Sequence, residues 1–99
     1  MRPLKVTFAP RARKDIDDIH AWLCERSRTG AASVISAVRE TSLLIGEYPQ
    51  IGRNSDIEGV KLLPVLKYPY LVYYTIDRDE IVIVHIRHGA RTAPKPGEV

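Results

Sequence analysis

The residues that could do chemistry in this chain gather near its end. Two apolar runs, 68–76 and 81–86, flank the charged segment 77–80. Aromatic and β-branched residues around so short a polar segment predict a β-hairpin. Where the second run ends, the chain places imidazoles and guanidiniums at His85, Arg87, His88 and Arg91. A rigid hairpin with cations at its open end could hold an anion, because guanidinium groups match carboxylates and phosphates.

The second strand of this hairpin divides its side chains between two faces, because strand residues alternate. One face is predicted to pack beneath helices and carries Val82, Val84 and Ile86. The other face carries Ile81, Ile83, His85 and Arg87. Since Ile81 and Ile83 are apolar, we expect this second face to be partly covered as well.

The four cationic candidates differ in what they could do. His85 is expected to be a packed or rim residue, because lone histidines are commonly buried without a catalytic role. Arg87 is equally compatible with a functional contact and with a structural ion pair. His88 and Arg91 lie where the strand ends, and strand-end loops often carry function. We therefore favour a functional role for His88 and Arg91.

Other conspicuous side chains have simpler interpretations. Trp22 lies one position off the apolar stripe of its helix and is either a boundary residue or an anchor for a partner. Tyr73 and Tyr74 could stack on bases, but core packing with a hydrated hydroxyl edge is favoured. Cys24 has no partner cysteine and is interpreted as structural. The three histidines lack metal-ligand spacing, so we expect no metal and no cofactor.

Composition narrows the class of protein. Ninety-nine residues that are 44% apolar and 27% charged predict one globular domain, with a core over about 4–91 and a loosely ordered tail at 92–99. The chain has no apolar run near the roughly 20 residues that span a bilayer. A single cysteine suits a reducing compartment, so a cytoplasmic location is expected. A net charge of +3 is low for a protein that binds duplex DNA by electrostatics alone.

Periodicity predicts the elements that position these residues. Residues 4–8 alternate as a strand, and apolar residues from Ala12 to Leu23 recur at helical spacing within a helix over 10–26. A second helix follows and must stop near Tyr48, because Pro49 disfavours helical geometry in the residue before it. Residues 49–59 are interpreted as turn and loop.

The remaining elements complete a small sheet. Residues 60–65 are predicted to form a strand, with Pro64 at a sheet edge or a bulge, since proline cannot donate to a ladder. The C-terminal hairpin follows. The predicted order is β-α-α-β-β-β, an α+β fold in which a helical hairpin packs on one face of a mostly antiparallel sheet.

Several short motifs then appear in a familiar order. They are Phe8-Ala9-Pro10 with Ala12 and Asp15-Ile16, Pro49 to Arg53, Gly59-Val60-Lys61, Tyr68-Pro69-Tyr70 before Tyr73-Tyr74, and Ile83 through His88-Gly89-Ala90-Arg91. Together they resemble the ParE/RelE superfamily of toxins from bacterial type II toxin–antitoxin systems, in particular its ParE-like, plasmid-stabilisation branch. The resemblance implies a small toxin neutralised by an antitoxin that wraps the helical hairpin and the sheet.

The resemblance leaves two kinds of target open. ParE-like members inhibit DNA gyrase without an established cleavage chemistry, whereas RelE-like members cleave mRNA in the ribosome. At positions matching RelE-like catalytic residues this chain has Lys61, Arg87 and His88. Lys61 and Arg87 could clamp a phosphate, and His88 could transfer a proton. No tyrosine follows His88, and no carboxylate occupies an obvious base position, so this set is incomplete.

We therefore favour gyrase inhibition by protein–protein contact. The residues expected to touch the target or a partner are Arg87, His88, Arg91 and Trp22. The ribosome-dependent endoribonuclease is the alternative, with ribosome and mRNA as partners. A weaker alternative is an inactive member that binds its antitoxin and represses its own operon. Direct DNA binding without the antitoxin is not expected.

Overall fold

Two helices cover one face of a five-stranded sheet in the computed structural model, which describes residues 3–90. The elements are β1 (Lys5–Phe8), α1 (Pro10–Cys24), α2 (Arg28–Glu47), β2 (Arg53–Asn54), β3 (Lys61–Pro64), β4 (Tyr70–Asp77) and β5 (Glu80–His88). The strand order is β1-β5-β4-β3-β2, with only the β1–β5 pair parallel. The predicted α+β architecture is confirmed.

The sheet contains one strand that the sequence pattern did not predict. Arg53 and Asn54 pair with Leu62 and Lys61 as β2, in a segment interpreted above as a turn. Two residues are too few to show alternation, so periodicity cannot detect such a strand. β2 pairs only with the first half of β3. Pro64 lies in the second half, where no strand among the described residues pairs with the edge of β3 that faces β2. A proline is tolerated there because it has no N–H to donate to a neighbouring strand.

Local sequence explains where each helix begins and ends. Pro10 occupies the first position of α1, where its missing N–H would have had no partner. The Ser27 hydroxyl accepts a hydrogen bond from the Gly30 N–H at 3.0 Å and caps α2. Tyr48 ends α2 directly before Pro49. Within residues 3–90, neither helix is long and apolar enough to cross a membrane.

Apolar side chains form two clusters on opposite faces of the sheet. The larger cluster lies between helices and sheet and includes Ala12, Val34, Val38, Ile45, Val72, Tyr74, Ile81, Ile83 and Ile86. The smaller cluster lies on the other face, beneath the loop that joins β2 to β3, and consists of Ile57, Val60, Leu62 and Tyr73, with Leu71 and Val84 packed against it. The sheet is therefore covered on both faces, as predicted, but the second face is covered by this smaller cluster and not at Ile81 and Ile83.

A β-bulge in β5 overturns the predicted division of its faces. Ile81 and Ile83 pack beneath the helices, whereas Val84 lies with the opposite cluster. The predicted helix-facing role of Val82 and Val84 is therefore wrong. Tyr73 pairs with His85 and Tyr74 with Ile83, so Val84 is the extra residue in the ladder. This insertion shifts the alternation, and Ile86 returns to the helix-facing core as predicted.

Arg91 and the predicted tail 92–99 lie outside the described residues.

Candidate functional site

An aspartate from α1 holds the C-terminal half of β5. β1 ends at Phe8, which pairs with Ile83, so this edge of β5 is open beyond that point. Asp15 occupies the opening. Its Oδ2 accepts the Ile86 N–H at 3.0 Å and lies 2.6 Å from His85 Nδ1. The link joins residues 70 positions apart and fixes the end of β5 relative to the first helix.

Asp15 is an ionised structural acceptor. Burial by itself would raise the pKa of its carboxyl, but the hydrogen bonds from His85 and from the Ile86 N–H outweigh burial and lower the pKa below its ordinary value. Arg11 Nε contributes in the same direction, 3.3 Å from Oδ1. Because the carboxylate accepts, His85 Nδ1 must carry a proton and donate. A carboxylate with a low pKa and occupied oxygens is a poor general base.

His85 is buried, with 6% of its surface exposed. Its ring lies 5.5 Å from the ring of Tyr73, centroid to centroid. The expectation that His85 is a packed residue is confirmed, and Tyr73 and Tyr74 are core residues, as predicted. The predicted hydrated edge is wrong, because both hydroxyls are buried and bond to protein groups. The Tyr74 hydroxyl donates to the Pro49 carbonyl at 2.7 Å and accepts from the Gly52 N–H at 2.9 Å.

Hydrogen bonds from the Arg87 side chain hold the end of β5 in place. Its Nε donates to the Tyr73 hydroxyl at 2.8 Å. Its Nη1 donates to the carbonyl oxygens of His88 at 3.2 Å and Gly89 at 3.4 Å. These bonds fix the guanidinium plane on the face opposite the helices. Arg87 therefore has a clear structural role where the sequence left function and structure equally open.

His88 is held by the turn that follows it. Its Nδ1 accepts the Ala90 N–H at 3.0 Å, and its ring meets Tyr70 edge-on at 5.4 Å between centroids. Because Nδ1 is an acceptor, the neutral ring carries its proton on Nε2. His88 is only half-buried, so a donor nitrogen of a fixed ring lies near the surface.

The three residues considered for RNA cleavage do not converge. Lys61 pairs with Tyr74 across β3 and β4, and Arg87 pairs with Leu71 across β4 and β5. Cross-strand partners point to the same face, and Tyr74 belongs to the helix-side core whereas Leu71 belongs to the opposite cluster. Lys61 and Arg87 thus project from opposite faces, roughly 15 Å apart by strand spacing and rise. Lys61 Nζ donates instead to Asn54 Oδ1 at 3.2 Å.

Trp22 forms a separate exposed feature near the end of α1, about 10 Å along the helix axis from Asp15. The side chain is exposed, at 49%. The Arg26 guanidinium stacks 3.5 Å from the ring centroid, and its Nη1 donates to the Trp22 carbonyl at 2.7 Å. The bond and the stacking together hold the guanidinium against the ring. A fixed tryptophan–arginine pair is typical of residues that dominate protein interfaces.

Asp15 is the residue whose role the sequence analysis missed. It was not among the candidate site residues, although it lies on the same helical stripe as Ala12, Ile16 and Ile19. A charged residue on an apolar stripe is a signal for a buried partner. Within residues 3–90, no group of three or more histidine, cysteine or acidic side chains is placed to hold a metal ion.

Comparison with known proteins gives one consistent family. A model described as "ParE toxin of type II toxin-antitoxin system, parDE" matches residues 6–93. Toxin RelE3 of Caulobacter vibrioides is 27% identical over 86 residues, 85% of this chain and 92% of that protein.

Two solved structures share the fold. A chain of the chromosomal ParDE system from P. aeruginosa superposes with a TM-score of 0.77 at 19% identity, covering 86% of this chain and 95% of that chain. A chain of the RelBE2 toxin–antitoxin complex from Mycobacterium tuberculosis gives a TM-score of 0.61 at 23% identity, covering 92% and 97%.

Proposed function

Because this chain belongs to the ParE toxin family of type II toxin–antitoxin systems, we propose that it is a toxin that inhibits DNA gyrase by protein–protein contact and is neutralised by a cognate antitoxin. Gyrase inhibition implies a cytoplasmic site of action, and a maintenance role such as plasmid stabilisation would follow from neutralisation by the antitoxin. The residues proposed to touch the target or a partner are Arg87, His88 and Arg91 at the C-terminal end and, separately, Trp22 on α1.

The main support for this proposal is that the residues considered for RNA cleavage do not lie together in the structure. In-line attack by a 2′-hydroxyl needs a base, a cation and an acid around one phosphate. Lys61 and Arg87 lie on opposite faces of the sheet, and Arg87 donates to Tyr73 and to two carbonyls. Asp15 is occupied by His85 and Ile86. Within residues 3–90, this arrangement suits recognition better than RNA cleavage.

Exposed apolar side chains support the antitoxin as a partner. Four of them lie in and just after the second half of α2, and they are Leu43, Leu44, Tyr48 and Ile51. Monomeric proteins seldom expose large contiguous apolar patches, and such patches commonly mark interfaces. Covering these residues with an antitoxin would remove that apolar area from water.

Gyrase supercoiling with purified components tests the proposal. Toxin added at increasing ratio to gyrase is expected to inhibit supercoiling, and Trp22→Ala is expected to weaken inhibition. Leu66→Ala removes another exposed apolar side chain, 79% exposed in the β3–β4 turn, and serves as the matched control. Full gyrase activity at a large molar excess of toxin would rule out this target.

The RelE-like alternative is favoured by the likeness to Toxin RelE3. Mapping mRNA ends after expression of the toxin would then show codon-linked cuts that disappear in the His88→Ala variant. Growth that continues normally after expression without antitoxin would favour the inactive member that only binds its antitoxin. Loss of DNA integrity before loss of translation is the outcome expected for gyrase inhibition.

A further inference from the structure

The turn at residues 88–90, where β5 ends, lies at the surface but is held by hydrogen bonds within the protein. Gly89 and Ala90 are exposed. The Gly89 N–H donates to the Pro69 carbonyl at 2.7 Å, and the Ala90 N–H donates to His88 Nδ1 at 3.0 Å. Water could satisfy such exposed backbone groups, so these bonds are not needed to avoid buried unpaired polar atoms. Their effect is to fix the turn and the His88 ring that it carries.

The Arg87 side chain holds the same turn through its carbonyl groups. Its Nη1 donates to the carbonyl oxygens of His88 and Gly89. Holding a long side chain in one conformation costs conformational entropy, so the guanidinium needs a partner that directs it. The Tyr73 hydroxyl is that partner, because it accepts from Arg87 Nε at 2.8 Å. The guanidinium is planar and rigid, so a bond that fixes Nε also sets the plane in which Nη1 donates.

Tyr73 is itself held in place by packing. Its side chain is 2% exposed and belongs to the smaller apolar cluster. Tyr73 pairs with His85, and Leu71 pairs with Arg87, so Tyr73 and Arg87 are diagonal neighbours on one face of the sheet. The buried hydroxyl is therefore a fixed point from which the guanidinium reaches the turn at the surface.

We propose that Tyr73 is a positioning residue for the contact with gyrase. Its hydroxyl orients the Arg87 guanidinium, and the guanidinium holds the turn that presents His88 with a fixed ring. Because Tyr73 is buried, it acts through Arg87 and does not itself touch the target. The inference rests on the proposed function, since Arg87 and His88 are among the residues proposed to touch the target.

Gyrase supercoiling with two hydroxyl variants tests the role of Tyr73. Tyr73→Phe keeps the ring, and about tenfold more toxin is expected to be needed for half-inhibition, because Arg87 loses the partner that directs it. Tyr74→Phe is the matched control, since it also removes a buried hydroxyl, but one that bonds to Pro49 and Gly52 and not to the turn. Tyr74→Phe should inhibit like wild type. Equal weakening by both variants would show a general effect of stability and would overturn the inference.

Amide hydrogen exchange measured by NMR reports on the turn without gyrase. In the Tyr73→Phe toxin, the Gly89 and Ala90 amides are expected to exchange about tenfold faster than in wild type, because the turn opens more often. The Ile86 amide is the internal control, since it donates to Asp15 Oδ2 in both proteins. Unchanged exchange at Gly89 and Ala90 would refute the positioning role, whatever the supercoiling assay shows.

A double variant tests whether Tyr73 acts through Arg87. Arg87→Lys keeps the positive charge but loses the planar fork, so it should weaken inhibition by about tenfold as well. Tyr73→Phe should then add no further loss, and additive losses would overturn the inference. Wild-type toxin that leaves supercoiling unaffected overturns the proposed function and this inference with it. Inhibition that is as strong with Tyr73→Phe as with wild type overturns the inference alone.

Discussion

Asp15→Asn is the substitution for which the structure makes the sharpest prediction. The carboxylate accepts the Ile86 N–H and His85 Nδ1 at 3.0 and 2.6 Å. Hydrogen bonds to charged groups contribute about 1.5–3 kcal/mol each. An asparagine would accept both bonds on a neutral oxygen and would turn its amide NH2 toward Arg11 Nε, the donor that Asp15 Oδ1 accepts. The free energy of unfolding should therefore fall by about 2 kcal/mol. That is a large fraction of a typical domain stability of roughly 5–15 kcal/mol.

The loss should depend on pH in a defined direction. The folded pKa of Asp15 is lowered by its hydrogen bonds despite burial, so the unfolded chain takes up a proton first as the solution is acidified. The stabilisation is complete above the ordinary aspartate pKa of about 3.9 and is lost as the pH falls through and below it. The difference in stability between wild type and Asp15→Asn should therefore be full at pH 6 and shrink as the pH falls below about 4.

Urea unfolding followed by circular dichroism at several pH values measures both effects. Asp18→Asn is the matched control, because Asp18 lies one turn further along α1 and its only described ion pair is the exposed contact with Lys14. This variant is expected to remain close to wild type. Equal losses for Asp15→Asn and Asp18→Asn, or a loss that does not change with pH, would refute the role assigned to Asp15.

Two further predictions concern the contact between β4 and the loop after α2. Tyr74→Phe removes the hydroxyl that joins Pro49 and Gly52, so the free energy of unfolding should fall by about 1–3 kcal/mol, with exposed Tyr48→Phe unchanged. Burial raises the pKa of Tyr74. The contribution of this hydroxyl to the free energy of unfolding is therefore complete below the ordinary tyrosine pKa of about 10 and is lost as the pH rises above it. Unfolding measurements that show no such loss at alkaline pH would contradict this. Gly52→Ala would place a Cβ 2.6 Å from the Tyr74 hydroxyl and should destabilise by about 1–3 kcal/mol, mainly by lowering the urea midpoint. This loss should be smaller when the Tyr74 hydroxyl is already removed, although the Cβ would still lie 2.8 Å from Tyr74 Cε1 and from the Leu62 carbonyl oxygen. Fully additive losses in the double variant would show that the two sites are independent.

Local periodicity predicted most of the elements. The spacing from Ala12 to Leu23 specified α1, and Pro49 specified the end of α2. The two apolar runs specified the C-terminal hairpin. These features depend on residues only a few positions apart, so they can be predicted from the sequence before the fold is known. The two-residue β2 was missed because pairing with β3 alone makes it a strand.

Only the tertiary structure decided how the candidate site is arranged. The bulge at Val84 moves side chains between faces, and alternation cannot reveal where a ladder gains a residue. The bond between Asp15 and His85 joins positions 70 residues apart, and no local sequence pattern near either residue predicts its partner. The separation of Lys61 from Arg87 follows from strand order and register, which form only when the chain packs. The sequence by itself determined the family, the elements and the core tyrosines, because local patterns and motif order carry that information. Only the assembled sheet shows that the side chains of Arg87 and Asp15 hold the end of β5 by hydrogen bonds, because both roles depend on long-range contacts.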